Sequence, residues 1–148
     1  MKESLQPGIC HTLRFRVPPS KTVPALYPES AEFQAMPEVF ATGFMVGLVE
    51  WACVQAVNPH LDPHEHTVGT FVDMSHEAAT PPGLEVTVTV ELTHTEGRRL
   101  RFRVEAHDGI DIITRGHHDR VVVDRQRFIQ KVVCKQQTIG HARADHDR

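Results

Sequence analysis

The chain contains several stretches with a two-residue hydrophobic period and one long stretch that is apolar throughout. Residues 12–17 alternate apolar and polar side chains, which is typical of a strand with one buried face. Residues 42–57 are apolar on nearly every side and are followed by Asn58-Pro59, which predicts a helix surrounded by other structure. Between them, prolines interrupt apolar residues, so residues 20–39 are predicted to form a long, partly ordered loop that covers another part of the molecule.

The second half of the chain has the patterns of antiparallel strands. Clean alternation on both sides of Glu96-Gly97 predicts a hairpin, and Asp108-Gly109 marks a second turn, with a bulge expected at Gly116. The predicted strands cover residues 67–75, 86–92, 99–106, 110–113 and 120–124, with a short last strand around 128–134. An ordered core over residues 12–134 and a flexible tail over residues 135–148 are therefore expected.

This order of elements predicts an α+β fold in a single domain, residues 1–148. One long buried helix wrapped by a curved antiparallel sheet is the hot-dog architecture. Because a single sheet covers only one side of such a helix, a second copy of the chain is expected to cover the other side, which predicts a homodimer.

Composition narrows the classes of partner. The chain has 40% hydrophobic and 24% charged residues, as one soluble domain does. Its 16 Lys and Arg against 19 Asp and Glu argue against nucleic acid, because phosphate-binding domains are usually basic. Three scattered cysteines, no signal peptide and no apolar run of roughly 18–20 residues predict a cytoplasmic protein without a membrane partner.

Two polar residues of the predicted helix are candidates for chemistry. Glu50 has no Lys or Arg one helical turn away in either direction. It either reaches solvent or a cation from the sheet, or acts as a base, a nucleophile or a partner that orients a histidine, and the apolar surroundings favour the second group of roles. Thr42, at the helix start, is either a capping hydroxyl or one that attacks, or hydrogen-bonds to, a carbonyl group.

The strand over residues 67–75 carries two further candidates. His76 follows this strand and is a solvated surface residue unless the helix packs beside it. In that case Thr42, Glu50 and His76 would supply the hydroxyl, carboxylate and imidazole of an acyl-transfer site. Gly69 could let its backbone approach a ligand and donate its N–H to an oxyanion.

Eleven histidines are many for this length and raise the question of a metal. His64-Glu65-His66 superficially resembles the HxH motif of a cupin, but the further ligands and glycines of a cupin do not follow, and positions 70–71 are Thr-Phe. No metal site is therefore predicted, and a metal-binding barrel is the least favoured alternative. His117, His118, His141 and His146 are expected to be solvated.

Several segments carry a resemblance to a known family. They are Lys21-Thr22-Val23, residues 26–30, residues 37–48, residues 50–54, Gly69-Thr70, residues 96–100 and Ala106-His107-Asp108-Gly109. Through them the chain, from about residue 12 to about residue 130, resembles the fluoroacetyl-CoA thioesterases of fluoroacetate-producing bacteria. The helical segment is the specific part of this resemblance.

The resemblance implies a dimeric hot-dog enzyme that hydrolyses fluoroacetyl-CoA to fluoroacetate and coenzyme A, which protects central metabolism. Its small-molecule substrate is an acyl-CoA, and it uses no cofactor apart from the coenzyme A of that substrate. Family counterparts assign the catalytic triad to Thr42, Glu50 and His76, a substrate-binding N–H to Gly69 and a lining role to Arg120.

The resemblance also assigns the proline-rich loop to a hydrophobic lid over the acyl pocket. Val23, Leu26 and Phe33 match the family lid, whereas Met36 replaces its second aromatic residue. Methionine is flexible and has no ring edge to meet a C–F bond, so hydrolysis is expected and strict fluorine selectivity is not implied.

Two routes and two other functions stay open. Glu50 either attacks the thioester or orients a water, and His76 either moves protons for that step or removes the α-proton that fluorine acidifies. The alternatives are a thioesterase for another short or α-substituted acyl-CoA, and a non-catalytic acyl-CoA-binding module. The outward row of Arg99, Arg101 and Arg103 is either a contact for the coenzyme A nucleotide or a solvated strand face.

Overall fold

The computed structural model describes residues 1–146, and within them five strands form one antiparallel sheet. The strands are β1 (Cys10–Arg16), β2 (Glu65–Met74), β3 (Glu85–Glu96), β4 (Arg99–His107) and β5 (Ile112–Asp124). Their order across the sheet is β1-β3-β4-β5-β2. The middle three strands form the predicted meander, and the hairpin around Gly97 is confirmed, whereas β2 lies at the far edge beside β5.

The helix α3 (Thr42–Val57) packs against one face of the sheet and has the predicted bounds. Strand β4 shows why the two surfaces fit, since its residues are alternately exposed and buried. The shared core is aliphatic with few rings, and its largest members are Met45, Val49 and Val57 of the helix with Val88, Leu92, Leu100, Phe102 and Ile113 of the sheet. Sheet and core therefore hold α3 from one side.

The opposite side of α3 is open in a single chain. Gly43, Gly47 and Trp51 follow one another at four-residue spacing and are exposed, with 49% of Trp51 accessible. The chain itself thus covers only one side of α3, although the predicted helix has apolar residues all round. This exposed strip is where further structure is needed to complete the burial.

The proline-rich segment contains two short helices, α1 (Val23–Leu26) and α2 (Ala31–Gln34), as a partly ordered loop should. Its two ends are tied together, because the Val23 N–H donates to the Val39 carbonyl over 3.0 Å. Leu26 reaches α3, where its Cδ1 atom would lie 3.3 Å from a Cβ placed on Gly43. The loop therefore covers the start of α3.

The predicted strand over residues 128–134 is wrong, because residues Arg125–His146 form a helix, α4. The apolar pairs Phe128-Ile129 and Val132-Val133 recur four residues apart, which is a helical period. The Asp124 carboxylate accepts a hydrogen bond from the Arg127 N–H (3.0 Å) and so caps this helix. Residues 135–146 of the predicted tail lie on α4, and residues 147–148 lie outside the described chain, so the flexibility of the tail remains a prediction.

The bulge predicted at Gly116 is also wrong, since β5 runs through it in register with Val104 and Met74. Gly116 instead permits close contact between strands, because a Cβ there would lie 1.9 Å from the Asp73 carbonyl oxygen. The register of β2 against β5 shifts between Gly69 and Phe71. The irregularity thus lies beside the predicted oxyanion donor.

No helix within residues 1–146 is both long and apolar enough to cross a bilayer.

Candidate active site

The structure brings Thr42 and His76 into direct contact. Thr42 is the first helical residue of α3, and the N-cap position belongs to Ala41, so the capping role considered for the Thr42 hydroxyl is wrong. Its Oγ1 atom lies 2.7 Å from Nδ1 of His76 instead. The segment that carries His76 is held to β5, because the Glu77 N–H donates to the Ile113 carbonyl over 2.8 Å.

The environment of His76 favours its neutral form. His76 is exposed to solvent, but the atoms packed around its ring partly desolvate it and lower its pKa, and a backbone hydrogen bond with Ala78 opposes this shift. A neutral imidazole can accept a proton from a hydroxyl group through its bare nitrogen. The Thr42–His76 pair therefore has the geometry of a hydroxyl with a base beside it.

Glu50 contacts a cation that comes from the sheet. Its Oε1 atom lies 3.0 Å from Nη1 of Arg120 on β5. Arg120 is 7% exposed at its side chain and Glu50 is 40% exposed, so the guanidinium lies beneath a carboxylate that ligands can reach. This contact is one of the structural alternatives foreseen for Glu50, and it leaves the carboxylate available for chemistry.

The Arg120 side chain is held by two residues that sequence reasoning missed. Its Nε donates to Oγ1 of Thr67 over 2.8 Å, and its Nη2 donates to the Thr67 carbonyl over 2.9 Å. Its Nη1 also lies 3.1 Å from Nε2 of His118. His118 is 1% exposed, so the expectation that it is solvated is wrong. The sequence signal for His118 was the alternation along β5, which places residues 118, 120 and 122 on the inward face of the sheet. The bulge expected at Gly116 would have interrupted this alternation, so the signal was hidden.

Gly69 lies against the Glu50 carboxylate. A Cβ placed on Gly69 would be 2.6 Å from Glu50 Oε1, a separation that no larger residue could keep without moving one of the two. Gly69 therefore leaves room for the Glu50 carboxylate, and its role as a donor to a ligand remains a prediction.

The candidate residues form two separate clusters in one chain. Thr42 with His76 is the first, and Glu50 with Arg120 and Gly69 is the second. Thr42 and Glu50 are eight residues apart on one helix, which corresponds to about 12 Å along its axis. Among the described residues, Glu50 makes no hydrogen bond to Thr42 or His76.

Of the expected lid residues, Leu26 lies against the start of α3. Leu26 packs over Gly43, the rings of Tyr27 and Phe33 have centroids 6.0 Å apart, and Met36 is 50% exposed. An apolar cleft of about 250 Å³ lies near this segment. Its lining residues are Phe15, Lys21, Phe40, Phe44, Gly47, Leu48 and Trp51.

The arginine row is mostly engaged on the outer face of the sheet. Arg101 forms a two-point ion pair with Asp119 (2.8 and 3.0 Å), and Arg103 pairs with Glu91. Arg99 and Arg101 both line a broad cleft of about 720 Å³ that Phe71 and Asp119 also line. Arg103 lies outside this cleft and behaves as a member of a solvated strand face.

The His64-Glu65-His66 motif is not arranged as an HxH ligand set. His66 packs edge-on against the Phe128 ring, with centroids 5.9 Å apart. In the part of the chain that the structure describes, the side chains whose ligand atoms cluster within 4.8 Å are Asp62, His64 and Glu65. The ammonium group of Met1 lies 2.6 Å from Asp62 and 2.7 Å from Glu65 in the same cluster.

A curled antiparallel sheet around one long helix, with polar residues on that helix facing strand β2 and β5, defines a hot-dog protein of the thioesterase type. A Thermus thermophilus member of the thioesterase superfamily has a similar structure, with a TM-score of 0.80 and 26% identity over 95% of this chain and 98% of that chain. The predicted fold class is therefore confirmed.

Within that class, the model of the fluoroacetyl-CoA-specific thioesterase family, FlK, matches residues 22–126, and the chain belongs to this family. The fluoroacetyl-CoA thioesterase of Streptantibioticus cattleyicolor is 58% identical over 132 residues, which cover 89% of this chain and 95% of that protein. A solved structure of FlK has a TM-score of 0.88 and 56% identity, over 90% of this chain and 98% of that chain. A substituted FlK in complex with fluoroacetate and CoA has a TM-score of 0.82 and 58% identity, over 84% and 99%. The family resemblance is confirmed.

Proposed function

We propose that this protein hydrolyses fluoroacetyl-CoA to fluoroacetate and coenzyme A in the cytoplasm, and so removes a toxic acyl-CoA. Family membership and the 58% identity to a fluoroacetyl-CoA thioesterase support the substrate class. The single observation that carries the chemistry is the 2.7 Å contact between Thr42 Oγ1 and His76 Nδ1 at the start of α3. Water and the chain's own side chains suffice for this reaction, so no cofactor is required beyond the coenzyme A of the substrate.

The working unit in this proposal is a homodimer. The two clusters of candidate residues lie about 12 Å apart along α3, which is too far for one thioester carbonyl to contact both. The strip formed by Gly43, Gly47 and Trp51 is exposed, and so are Phe71 and Val72 on the edge strand β2, each at 48%. A second copy placed along α3 and β2 by a twofold axis would bury these apolar surfaces and bring opposite clusters together.

The reaction then follows from the roles that the contacts allow. The N–H of Gly69 and the hydroxyl of Thr42 donate to the thioester carbonyl and stabilise the negative charge that develops on its oxygen. Because the hydroxyl has a single hydrogen, the Thr42 oxygen then accepts from Nδ1–H of His76, whose bare Nε2 is the base. Glu50, positioned by Arg120, either attacks the carbonyl carbon, so that the C–S bond breaks and water then hydrolyses the mixed anhydride, or orients the water that attacks the carbonyl directly. In both cases neutral His76 takes a proton from that water and gives it to the thiolate of coenzyme A.

A second route starts at the α-carbon. Fluorine acidifies the α-proton of a fluoroacetyl group, so His76 could remove it and open an enolate path that acetyl-CoA follows less readily. The lowered pKa of His76 means that its imidazole is neutral at pH 7, as both routes require.

The lid bears on selectivity. Met36 is half exposed and offers a flexible thioether where family lids carry a ring. This observation favours, as a second candidate, a thioesterase that also accepts other short or α-substituted acyl-CoA substrates. The ratio of kcat/KM between fluoroacetyl-CoA and acetyl-CoA is then smaller than an aromatic lid would give.

The test is the release of free coenzyme A from fluoroacetyl-CoA and from acetyl-CoA by purified protein. The proposal expects release from fluoroacetyl-CoA with the higher kcat/KM. Equal values for both substrates would contradict fluorine selectivity and favour the broader thioesterase. Saturable binding of fluoroacetyl-CoA without release of coenzyme A would contradict an enzyme and favour a binding module.

A further inference from the structure

A buried histidine, His118, connects two parts of the proposed site that are otherwise separate. His118 lies on the inward face of β5, opposite Val72 on β2 and Phe102 on β4. Its Nδ1 atom is 2.8 Å from the Phe71 carbonyl oxygen, and its Nε2 atom is 3.1 Å from Arg120 Nη1. One imidazole thus contacts both the irregular part of β2 and the cation beneath Glu50.

These two contacts determine the proton position on the ring. A carbonyl oxygen can only accept, so Nδ1 of His118 carries a hydrogen; a guanidinium can only donate, so Nε2 has none. The ring is therefore the neutral Nδ1–H tautomer. The environment of His118 also favours the neutral ring. Burial lowers the pKa of His118 and the Arg120 charge lowers it further, whereas the hydrogen bond to the Phe71 carbonyl and the Glu50 charge raise it.

The first contact restrains β2 where its pairing with β5 changes register. That shift lies between Gly69 and Phe71, so the hydrogen bond to the Phe71 carbonyl holds the strand two residues from Gly69. The direction in which the Gly69 N–H points depends on the backbone conformation of this irregular segment. His118 therefore restrains the backbone of the proposed oxyanion donor.

The second contact restrains the carboxylate. Arg120 Nη1 donates to Glu50 Oε1 over 3.0 Å and to the bare Nε2 of His118 over 3.1 Å, while Thr67 holds the other guanidinium nitrogens. His118 Nε2 lies 3.8 Å from the same Glu50 oxygen. The guanidinium plane, and with it the position of Glu50, therefore depends on His118 as a hydrogen-bond acceptor.

We propose that His118 is a positioning residue for thioester hydrolysis, which acts through Arg120 to orient Glu50 and through the Phe71 carbonyl to orient the Gly69 amide. This inference rests on the proposed function. Protonation of His118 would place the Nε2–H of His118 against the N–H of Arg120 Nη1. Because both groups donate, the hydrogen bond between them would be lost and the guanidinium would have one partner fewer. The charged or titratable groups around the ring are Arg120, Glu50 and Asp119.

Three substitutions separate the two contacts of His118. His118→Phe keeps the ring size and removes both hydrogen bonds. His118→Gln places an amide oxygen where Nε2 was and can still accept from Arg120, whereas His118→Asn places an amide N–H near the Nδ1 position and can still donate to Phe71. His117→Gln is the matched control, because His117 is the outward, exposed neighbour on the same strand.

The measurement is kcat and KM for coenzyme A release from fluoroacetyl-CoA. We expect His118→Phe to lower kcat by about 10- to 100-fold with KM changed by less than about threefold, since a misplaced reacting group mainly affects the transition state. His118→Gln should recover more of kcat than His118→Asn, and His117→Gln should match the unaltered enzyme. If His118→Phe does not fold, the Gln and Asn variants still give the comparison.

A spectroscopic readout tests the same arrangement without catalysis. Nitrogen and carbon NMR of the His118 imidazole should show the neutral Nδ1–H tautomer at about pH 6.5, where an unperturbed histidine is half protonated. A charged ring, or the Nε2–H tautomer, would overturn the proposal. Equal kcat values for His118→Phe, His118→Gln and His118→Asn would also overturn it. A higher kcat for His118→Asn than for His118→Gln would contradict the route through Arg120. Unaltered enzyme that releases no coenzyme A would overturn the proposed function as well.

Discussion

The start of α3 and its middle carry two different kinds of polar arrangement. At the start, Thr42 and His76 form a single hydrogen bond between two exposed side chains, one on the helix and one on the segment after β2. In the middle, Glu50 contacts Arg120, whose guanidinium is buried and bonded to Thr67 and His118. The first arrangement leaves a proton easy to move, and the second fixes the position of a charge.

This difference suggests a division of work between the clusters. Proton transfer requires a base that is near its partner and open to substrate, which describes His76. Electrostatic stabilisation and attack require charged groups whose directions are set before the substrate arrives, which describes the Arg120 network. Substitutions at Thr42 or His76 should therefore lower kcat while the protein still folds normally. Substitutions in the Arg120 network should lower both kcat and the free energy of unfolding.

The largest expected effect is at Glu50. Glu50→Gln keeps the size of the side chain and removes the charge that Arg120 faces, so kcat for fluoroacetyl-CoA should fall by about 10³-fold or more. The measurement is steady-state release of coenzyme A. Glu105→Gln, an outward residue on β4, is the control and should behave as the unaltered enzyme. Full activity of Glu50→Gln would remove Glu50 from the reaction.

At the start of α3, Thr42→Val removes the hydroxyl with little change in shape. We expect kcat to fall by about 10²-fold, because the partner of His76 and one donor to the carbonyl are lost together, while the unfolding midpoint stays nearly unchanged. Thr42→Ser retains a hydroxyl and should recover part of the rate. Full activity of Thr42→Val would remove the Thr42 hydroxyl from the reaction.

The middle cluster should respond in stability. Thr67→Val leaves the buried Nε of Arg120 without its 2.8 Å acceptor, so the free energy of unfolding should fall by about 1–3 kcal/mol. Urea denaturation at fixed protein concentration measures this. Thr89→Val is the matched control, because Thr89 is an exposed strand residue whose replacement should be close to neutral. Equal effects at the two positions would contradict the role of Thr67 in holding Arg120.

The smallest effect concerns pH and separates the clusters by titration. Because burial lowers the pKa of His76 from its ordinary 6.5, the neutral base persists at pH 6.5 and is lost only as pH falls through the lowered pKa. The acid limb of kcat/KM for fluoroacetyl-CoA should therefore have its midpoint below pH 6.5. A midpoint above pH 6.5 would contradict this, or assign the limb to another group.

Stability should follow pH in the same region. The unfolded chain binds protons at His76 and His118 with ordinary pKa values, and the folded chain binds them less readily, so the free energy of unfolding should decrease as pH falls below about 6.5. The carboxylate of Glu77 acts at lower pH. Its pKa is lowered to about 2 by its hydrogen bonds with Arg115 and Ser75, so stability from it is lost only as pH falls from about 4.5 toward 2.

Local patterns were sufficient for α3 and for the hairpin of β3 and β4. Sixteen apolar-rich residues bounded by Asn58-Pro59 predict a helix whatever surrounds them, and the alternation on both sides of Gly97 predicts two paired strands. The same reasoning fails at α4, where two apolar pairs with four-residue spacing predict a strand and the structure has a helix. Short apolar runs fit both periods, and only the continued polar helix formers beyond them distinguish the two.

The candidate residues divide in the same way. Glu50 was identifiable from sequence because a carboxylate without a cation one turn away is unusual in an apolar helix. His118 was not identifiable from sequence, because its burial depends on which face of β5 it occupies and on how β5 pairs with β2. Its partner on β2, Phe71, lies 47 residues earlier in the chain. Thr67 likewise became important only when Arg120 was placed beside it.

The amino-acid pattern alone determined α3 and most of the strands, the need to cover one apolar helix and, through the family segments, the candidate residues Thr42, Glu50 and His76. Tertiary structure decided which residues from distant parts of the chain meet: Thr42 with His76, Glu50 with Arg120, and Arg120 with Thr67. The reason is that hydrophobic periodicity is written within a few neighbouring residues, whereas hydrogen bonds between strands and helix depend on register and packing across 34 to 70 positions of the chain.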